Sequence, residues 1–395
     1  MNTDLNIARL LTILRGLLAE PARCPDSPWQ RVIFKPCATS AGASGVAIDL
    51  EGVKCAATDD ELRNEVRTIL QRATARPDRV SVPGGSAYCI ERHVGRDGQV
   101  AACPAAPLAP LAERLAAGRR GGAVLAQVPL QNEIALVTGA AGAIGAGICR
   151  GLLAKGAYVV AADLAKESLD NLVLELNQAS PGRIMGVTMD VTDAASVAAG
   201  FDAVAEAWGG VDIVVVNAGI AMVAPLVELG MEAFRRLERV NVEGTLLTLA
   251  EAGRRLCRQA TGGDMILVST KNVFAPGAQF GAYSATKAAA HQLARIASLE
   301  MASSDIRVNM VAPDAVFSDG KRKSGLWAEV GPSRMKARGL DEKGLEDYYR
   351  NRNLLKARVT PDHVANAVLF FATRQTPTTG ATIPVDGGLP DATPR

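Results

Sequence analysis

The sequence predicts an α/β fold: a doubly wound parallel sheet covered by helices on both faces, preceded by a small α/β N-terminal module. Three observations lead there. Between Ile134 and Asp163 the chain runs as apolar segment, glycine-rich turn, helical pattern, second apolar segment and acid. From Ile134 onward, apolar runs of strand length alternate regularly with helical patterns, the signature of parallel β–α units. The composition is 48% hydrophobic but only 4% aromatic, so the core is built from Ala, Val, Leu and Ile, which suits strands buried on both faces. A chain of 395 residues has room for two domains. The change of texture places them at residues 1–128 and 129–395.

The organising stretch is the first of those β–α–β units. Ile134–Val137 stops at Thr138, glycines follow at 139, 142 and 145, and a helical pattern that includes Ile144 runs to Lys155. Gly156 ends it, and Tyr158–Ala162 leads to Asp163. Residues without side chains let the backbone approach a pyrophosphate, whose charge sits on the free N–H groups of the helix N-terminus. An acid at the tip of the second strand accepts hydrogen bonds from adenine ribose hydroxyls. This is the dinucleotide-binding unit of a Rossmann fold.

The following elements extend the pattern. A helix is expected over Lys166–Gln178, broken by Pro181–Gly182, then a strand Ile184–Met189 ending at Asp190–Val191. A carboxylate and a backbone N–H there can reach an adenine edge. A helix Ala194–Trp208 precedes Val211–Val216, which ends in Asn217-Ala218-Gly219, small residues that let a cofactor lie against the sheet. A long helix around Asn241–Arg258 and a strand Met265–Val268 lead to Ser269–Thr270. Tyr283 and Lys287 then stand four apart, so on a helix their side chains share a face. A nearby ammonium favours phenolate and lowers the tyrosine pKa toward neutrality, which makes the phenol a usable acid/base. Chance also produces this spacing in many helices, so alone it carries little weight. Thr270, thirteen residues upstream at a strand end, offers a hydroxyl that can polarise a carbonyl.

Taken together, residues from about Gln131 to Leu389 resemble the short-chain dehydrogenase/reductase family. The resemblance rests on TGAAGAIG, Asp163, Asp190-Val191, Asn217-Ala218-Gly219, Asn241, Thr270, Tyr283/Lys287, Asn309…Pro313 and Gly380…Val385-Asp386-Gly387-Gly388. It implies that Tyr283 is the catalytic acid/base and that Lys287 binds the nicotinamide ribose while holding the tyrosine pKa down. It further implies that Asn241 positions a proton-relay water and that Thr270 orients the substrate oxygen. Ile144, Pro313 and Val316 join the cofactor contacts. Asp163, with no arginine after it, favours NAD over NADP because a 2′-phosphate would face a carboxylate. Three departures from the family pattern stand out. Ala143 replaces the middle glycine, with Gly142 one residue early, a spacing shared with epimerases and dehydratases. Thr270 stands where serine is commoner, with Ser269 as a fallback. Asp314 follows Pro313 where glycine is usual.

Within the family, Ser269-Thr270-Lys271-Asn272, the loop PDAVFSDGKRKSGLW and the stretch YRNRNLLK resemble the dehydrogenase half of bifunctional rhamnulose-1-phosphate aldolase/short-chain dehydrogenases. That resemblance implies a polyol, deoxy sugar or lactaldehyde-type substrate. Residues 1–128 are too short for the aldolase half and carry no cluster of metal-binding histidines, so aldolase activity is not expected.

Asp319–Arg358 holds eleven basic and six acidic residues, an excess of five positive charges in a chain of net charge +2. One reading is a lid whose cations meet a phosphate or carboxylate on the substrate, with Lys321–Lys323 as the foremost contact. The other is a solvated helix laced with ion pairs over Leu340–Arg358. The first 128 residues predict strands at Arg31–Lys35, Val46–Leu50, near Val80 and at Tyr88–Val94, helices at Asp59–Thr74 and Leu108–Ala117, and an apolar run at Ala123–Val128. Ile7, Leu10, Leu11, Leu14, Leu17 and Leu18 form one stripe, expected on a surface helix packed against a core or partner and too interrupted by charge to span a membrane.

Seven cysteines without CxxC pairs and three scattered histidines indicate free thiols in a reducing compartment and no metal site. The near-neutral charge gives no reason to expect nucleic acid or a membrane as partner. The expectation is a cytoplasmic, NAD-dependent dehydrogenase of a small hydroxylated or aldehyde metabolite, a homodimer or homotetramer by resemblance. The rivals are a catalytically silent NAD-binding scaffold and an NAD-retaining epimerase or dehydratase.

Overall fold

The computed structural model describes residues 6–24, 27–37, 47–50, 53, 58–73, 77–83, 86–91, 129–322 and 324–392. The early part contains helix α1 (Ile7–Leu18), a two-stranded ribbon of β1 (Glu20–Cys24) and β2 (Ser27–Gln30), then β3 (Ile33–Cys37), β4 (Ala47–Asp49), helix α2 (Asp59–Arg72), β5 (Arg79–Val82) and β6 (Ser86–Glu91). The last four strands form a mixed sheet in the order β3-β6-β5-β4. The ribbon was not expected, because Pro21 and Pro28 signal a break; edge strands accept proline where no ladder N–H is needed. The expected helix Leu108–Ala117 and the run Ala123–Val128 lie outside the described residues.

The larger sheet has seven strands: β7 (Ile134–Thr138), β8 (Tyr158–Asp163), β9 (Ile184–Thr188), β10 (Ile213–Val216), β11 (Gly263–Val268), β12 (Ile306–Pro313) and β13 (Thr382–Val385). All neighbours pair in parallel, in the order β13-β12-β11-β10-β7-β8-β9. The chain winds outward from β7 to β9, returns to β10 beside β7, and winds outward again. The order therefore reverses between β7 and β10, and a crevice opens at their carboxyl ends. Alternation along β7 shows the two-faced burial directly. Ala135 and Val137 join one core with Leu152, Leu172 and Val368, while Ile134 and Leu136 join the other with Val204, Leu249 and Ala290.

Helices α3 (Ala143–Ala154), α4 (Lys166–Ala179) and α11 (Pro361–Ala372) cover the first face, and α5 (Ala194–Trp208), α7 (Gly244–Gln259) and α8 (Gly281–Glu300) the second. The helix expected to begin at Asn241 is instead part of one continuous helical run. Helix α6 (Met231–Glu238) passes through a π turn, Arg239–Glu243, into α7. Two further helices, α9 (Gly325–Arg338) and α10 (Glu342–Arg352), rise above the crevice.

Helix α1 corrects an expectation. It is not a surface helix: Leu10, Leu11 and Leu14 are buried, and so are Thr12, Arg15 and Gly16 on other sides. One side packs with Phe34, Leu62, Val66 and Val80 in a separate cluster. The other lies on α5 and α7 so closely that a Cβ on Gly16 would overlap the Gln259 carbonyl. Arg15 is tolerated there because every face of its guanidinium is used. It donates to both Asp212 carboxylate oxygens (2.6 and 2.8 Å), to Val32 O (2.8 Å) and to Asn132 O (3.0 Å). Arg31 adds a second cation to Asp212 at 2.8 Å. This network sits at the amino end of β10, opposite the crevice.

Candidate active site

At the crevice the backbone is shaped by three glycines doing different jobs. Gly139 has φ +62°, and a Cβ there would lie 2.8 Å from Ala218 Cα. A Cβ on Gly145 would overlap the Gly139 carbonyl, so this glycine seats α3 against its own loop. A Cβ on Gly142 would meet only Gly139 O, at an ordinary 3.6 Å. The fold itself does not demand glycine at 142, and open backbone toward the crevice is what the residue provides. The methyl of Ala143, in place of the family's middle glycine, is buried in the first helical turn and fits.

Side chains tie the two central strand ends together. Asn217 Nδ2 donates to the carbonyls of Thr138 and Gly139, both at 2.9 Å. Thr138 Oγ1 accepts from the N–H groups of Asn217 and Ala218, both at 3.0 Å. Asp163 accepts from Ala141 N (2.9 Å) and Ala165 N (3.0 Å), holding the glycine loop against the tip of β8. Asp190 accepts from Thr192 N and Oγ1, each at 2.8 Å. No side chain caps α3, so its first N–H groups remain available to an anion. These features fit a dinucleotide.

A cavity of about 540 Å³ runs along these strand ends. Its lining brings together Gly139, Gly142, Ile144 and Gly145 from the loop, Asp163, Asp190 and Val191 from β8 and the β9 end, and Asn217, Ala218 and Gly219 after β10. Thr270, Tyr283, Lys287, Pro313 and Val316 complete the far side. Of the expected catalytic and cofactor residues, Asn241 alone does not line it. Its side chain is fully buried in the π turn, accepting from Ile220 N (2.9 Å) and donating to Ile220 O (2.9 Å) and Thr286 Oγ1 (3.0 Å). Asn241 thus braces the loop after β10 against α8, the helix that carries Tyr283 and Lys287.

The electrostatics differ from the expectation that Lys287 brings the phenol toward neutrality. Burial pushes Tyr283 up to about 12, a hydrogen bond with Thr270 acts in the opposite direction, and Asp314 adds to the rise. Lys287 is itself lowered to about 8 by burial, and its Nζ donates to Val268 O at 3.0 Å. Burial thus favours the neutral form of both groups. Ser269 is no fallback for Thr270. Its hydroxyl is paired with His291 Nδ1 at 2.9 Å in the interior.

The basic segment resolves into two populations. Lys321 and Arg322 bind Glu175, at 3.0 Å for Lys321, and Arg322 also binds Asp319 at 3.3 Å. They do not line the cavity, and Lys323 lies outside the described residues. The expectation that Lys321–Lys323 is the foremost contact is therefore corrected for Lys321 and Arg322, which local carboxylates take. Arg350 and Arg358 form solvent-side pairs with Asp347 and Glu346. Arg334 and Arg352 instead face the cavity, together with Lys271 and the aromatic pair Trp327 and Tyr349. Arg352 is fixed by Asp314 at 2.7 Å, which gives the non-glycine residue after Pro313 a purpose. The motif pattern missed Arg334 and Arg352 because they sit in a lid whose charge alone does not say which residues turn inward.

Residues 133–329 match the family model described as short chain dehydrogenase. The chain is 38% identical over 271 residues to the uncharacterized oxidoreductase YuxG of Bacillus subtilis, covering 68% of this chain but 39% of that protein. It therefore spans about two fifths of that relative's length. It is 32% identical over 260 residues to D-threitol dehydrogenase of Mycolicibacterium smegmatis, covering 66% of this chain and 93% of the relative. Among solved structures, sorbitol-6-phosphate 2-dehydrogenase of Erwinia amylovora superposes with a TM-score of 0.59 at 29% identity, over 64% of this chain and 98% of that one. The chain belongs to the short-chain dehydrogenase family: it is an oxidoreductase acting on CH–OH groups, in a family that works with a nicotinamide cofactor, NAD or NADP.

Proposed function

We propose that the protein is an NAD-dependent dehydrogenase of a small sugar-derived hydroxyl or aldehyde compound, a polyol, deoxy sugar or lactaldehyde in free or phosphorylated form. The observation that carries this reading is the convergence of Tyr283, Thr270 and Lys287 on one side of the cavity that the glycine loop and Asp163 line on the other. NAD, when bound, supplies the hydride acceptor or donor. Tyr283 exchanges the proton with the substrate oxygen, and Thr270, which lines the same side of the cavity, holds that oxygen in place. Lys287 serves the ribose and the phenol from the same helix face. Asn241 keeps the helix and the loop after β10 in register.

NAD is favoured over NADP because Asp163 lies at the strand tip and the next cation along the chain, Lys166, is paired with Asp170 at 2.6 Å. A 2′-phosphate would meet the Asp163 carboxylate. Similarity to a threitol dehydrogenase and a sorbitol-6-phosphate dehydrogenase supports a polyol-type substrate. We read residues 1–128 as a supporting module and 129–395 as the catalytic domain of a cytoplasmic homodimer or homotetramer. Exposed Leu246 on α7 and Ile296 and Leu299 on α8 support such an assembly.

The test is NAD reduction across polyols, deoxy sugars, lactaldehyde and their phosphates, with Tyr283→Phe alongside. Turnover of one class, falling by about 10²–10⁴ in the variant with dinucleotide binding intact, is expected. Retention of most activity would remove Tyr283 from its role.

A further inference from the structure

Behind the cavity lies a second one of about 520 Å³, lined by Lys271, Arg334, Arg338 and Arg352 with Asp391 as its acid. Lys271, Gly277, Arg334 and Arg352 line both cavities, so the two adjoin. Counting Asp314, which pairs with Arg352, four cations face two carboxylates and leave an excess of two positive charges. Structural clusters of basic residues are ordinarily neutralised by acids at hydrogen-bond distance. Here the partners of the arginines are mostly aromatic rings. Arg334 lies 4.4 Å from the Phe280 ring centre, Arg352 4.2 Å from that of Tyr349, and Arg338 4.5 Å from that of Tyr348.

A ring holds the flat face of a guanidinium without cancelling its charge, and leaves the N–H edges to bind something else. The hydrogen bonds agree. Arg334 is only 6% exposed, yet its Nε makes no hydrogen bond, and its terminal nitrogens reach only neutral oxygens of Gln279 and Ala278, at 3.2 and 3.5 Å. Arg352 Nε is likewise buried without an acceptor. Lys271 Nζ contacts one carbonyl, Ala275 O, at 2.9 Å. Burial and the neighbouring Arg352 push the Lys271 pKa down. Two buried guanidinium donors, Arg334 Nε and Arg352 Nε, thus have no protein acceptor, and an anion's oxygens are what such donors bind most strongly.

We propose that the second cavity is an anion subsite that binds a phosphate monoester at the end of the substrate remote from the reacting carbinol. A phosphate carries about −1.5 to −2 charges at neutral pH and three acceptor oxygens, which matches both the charge excess and the unfilled donors. This rests on the dehydrogenase reading and sharpens it: the substrate is a polyol or hydroxyaldehyde phosphate, and the subsite selects it over the free compound.

The experiment compares kcat/KM of the full chain with NAD for matched polyols and their terminal phosphate esters, in wild type, Arg334→Met and Arg334→Lys. A preference for the esters of about tenfold or more, lost in Arg334→Met and partly kept in Arg334→Lys, is expected. In parallel, the melting temperature is followed with inorganic phosphate against chloride of equal ionic strength, in saturating NAD so that the glycine loop is occupied. A phosphate-specific rise that Arg334→Met abolishes supports the subsite even where no panel compound turns over, and in that case the dehydrogenase reading fails instead. Equal turnover of esters and free polyols, or no phosphate-specific rise in the wild type, overturns the subsite and leaves the dehydrogenase reading standing.

Discussion

At Lys287 the interior works against charge. The group is nearly buried, its pKa is lowered to about 8, and in the unfolded chain it returns to about 10.4. Between those values the unfolded chain binds more protons than the native one, so stability rises with pH there. Tyr283, raised to about 12 by burial, has the opposite sign: its native state holds the proton longer, and stability falls above pH 10. Replacing Lys287 by Met should erase the gain between pH 8 and 10.4, on the order of 3 kcal/mol, in urea titrations across that range. A wild type whose stability is flat there would show that the ammonium is better solvated than its burial implies. The glycines separate in the same way. Gly145→Ala should destabilise the fold by about 1–3 kcal/mol through overlap with the Gly139 carbonyl. Gly142→Ala should melt normally yet bind NAD about tenfold more weakly or worse, as calorimetric titration would show. Residues of this kind were legible in the sequence because spacing and residue type alone define them. The pKa of Tyr283 was not, because desolvation depends on everything packed around the phenol.

Among the elements, α9 and α10 form the most informative pair. Val330 of α9 packs with Phe280 and Tyr283, and the rings of Phe317 and Trp327 stack with centres 4.5 Å apart. Arg352, at the end of α10, closes the arrangement through Asp314 on the loop after β12. Cutting that tie with Asp314→Ala should raise the substrate KM about tenfold and leave the NAD dissociation constant within about threefold. A change confined to NAD binding would mean that Asp314 serves the cofactor rather than the lid. The sequence showed a charged lid but not its orientation. Local carboxylates such as Glu175 are brought to Lys321 and Arg322 only by the fold. The π turn was equally hidden, since its residues continue the apolar rhythm of the helices on either side.

Across the whole molecule, the early part grips the sheet from below. Asp212 and Asn217 lie five residues apart, about 16 Å along the strand, so the Arg15 network is remote from the crevice. Burial alone would raise the Asp212 carboxyl, but Arg15 and Arg31 hold it below its ordinary value. That contribution is present above the usual carboxylate range and is lost as pH falls through it. Arg15→Met should lower stability by about 3–5 kcal/mol, read by chemical denaturation, with kcat/KM of the folded protein within about twofold. Loss of turnover without loss of stability would join the network to catalysis. From sequence five of the seven strands were clear as short apolar runs between helical patterns, whereas Ile306–Pro313 and Thr382–Val385 entered only through the motif residues they carry. The docking of α1 was not, because a buried arginine and a helix glycine carry no periodicity that announces a second packed side.

The central claim is hydride transfer between the carbinol carbon and NAD with Tyr283 moving the proton, and isotope transfer tests it most directly. A substrate found in the panel, carrying deuterium on the carbinol carbon, is incubated with NAD and the products are analysed by mass spectrometry. Deuterium on the nicotinamide of released NADH, absent with Tyr283→Phe, is the predicted result. Deuterium washed into water, or kept in a rearranged product with no NADH released, would contradict it and place the protein among enzymes that only borrow the hydride.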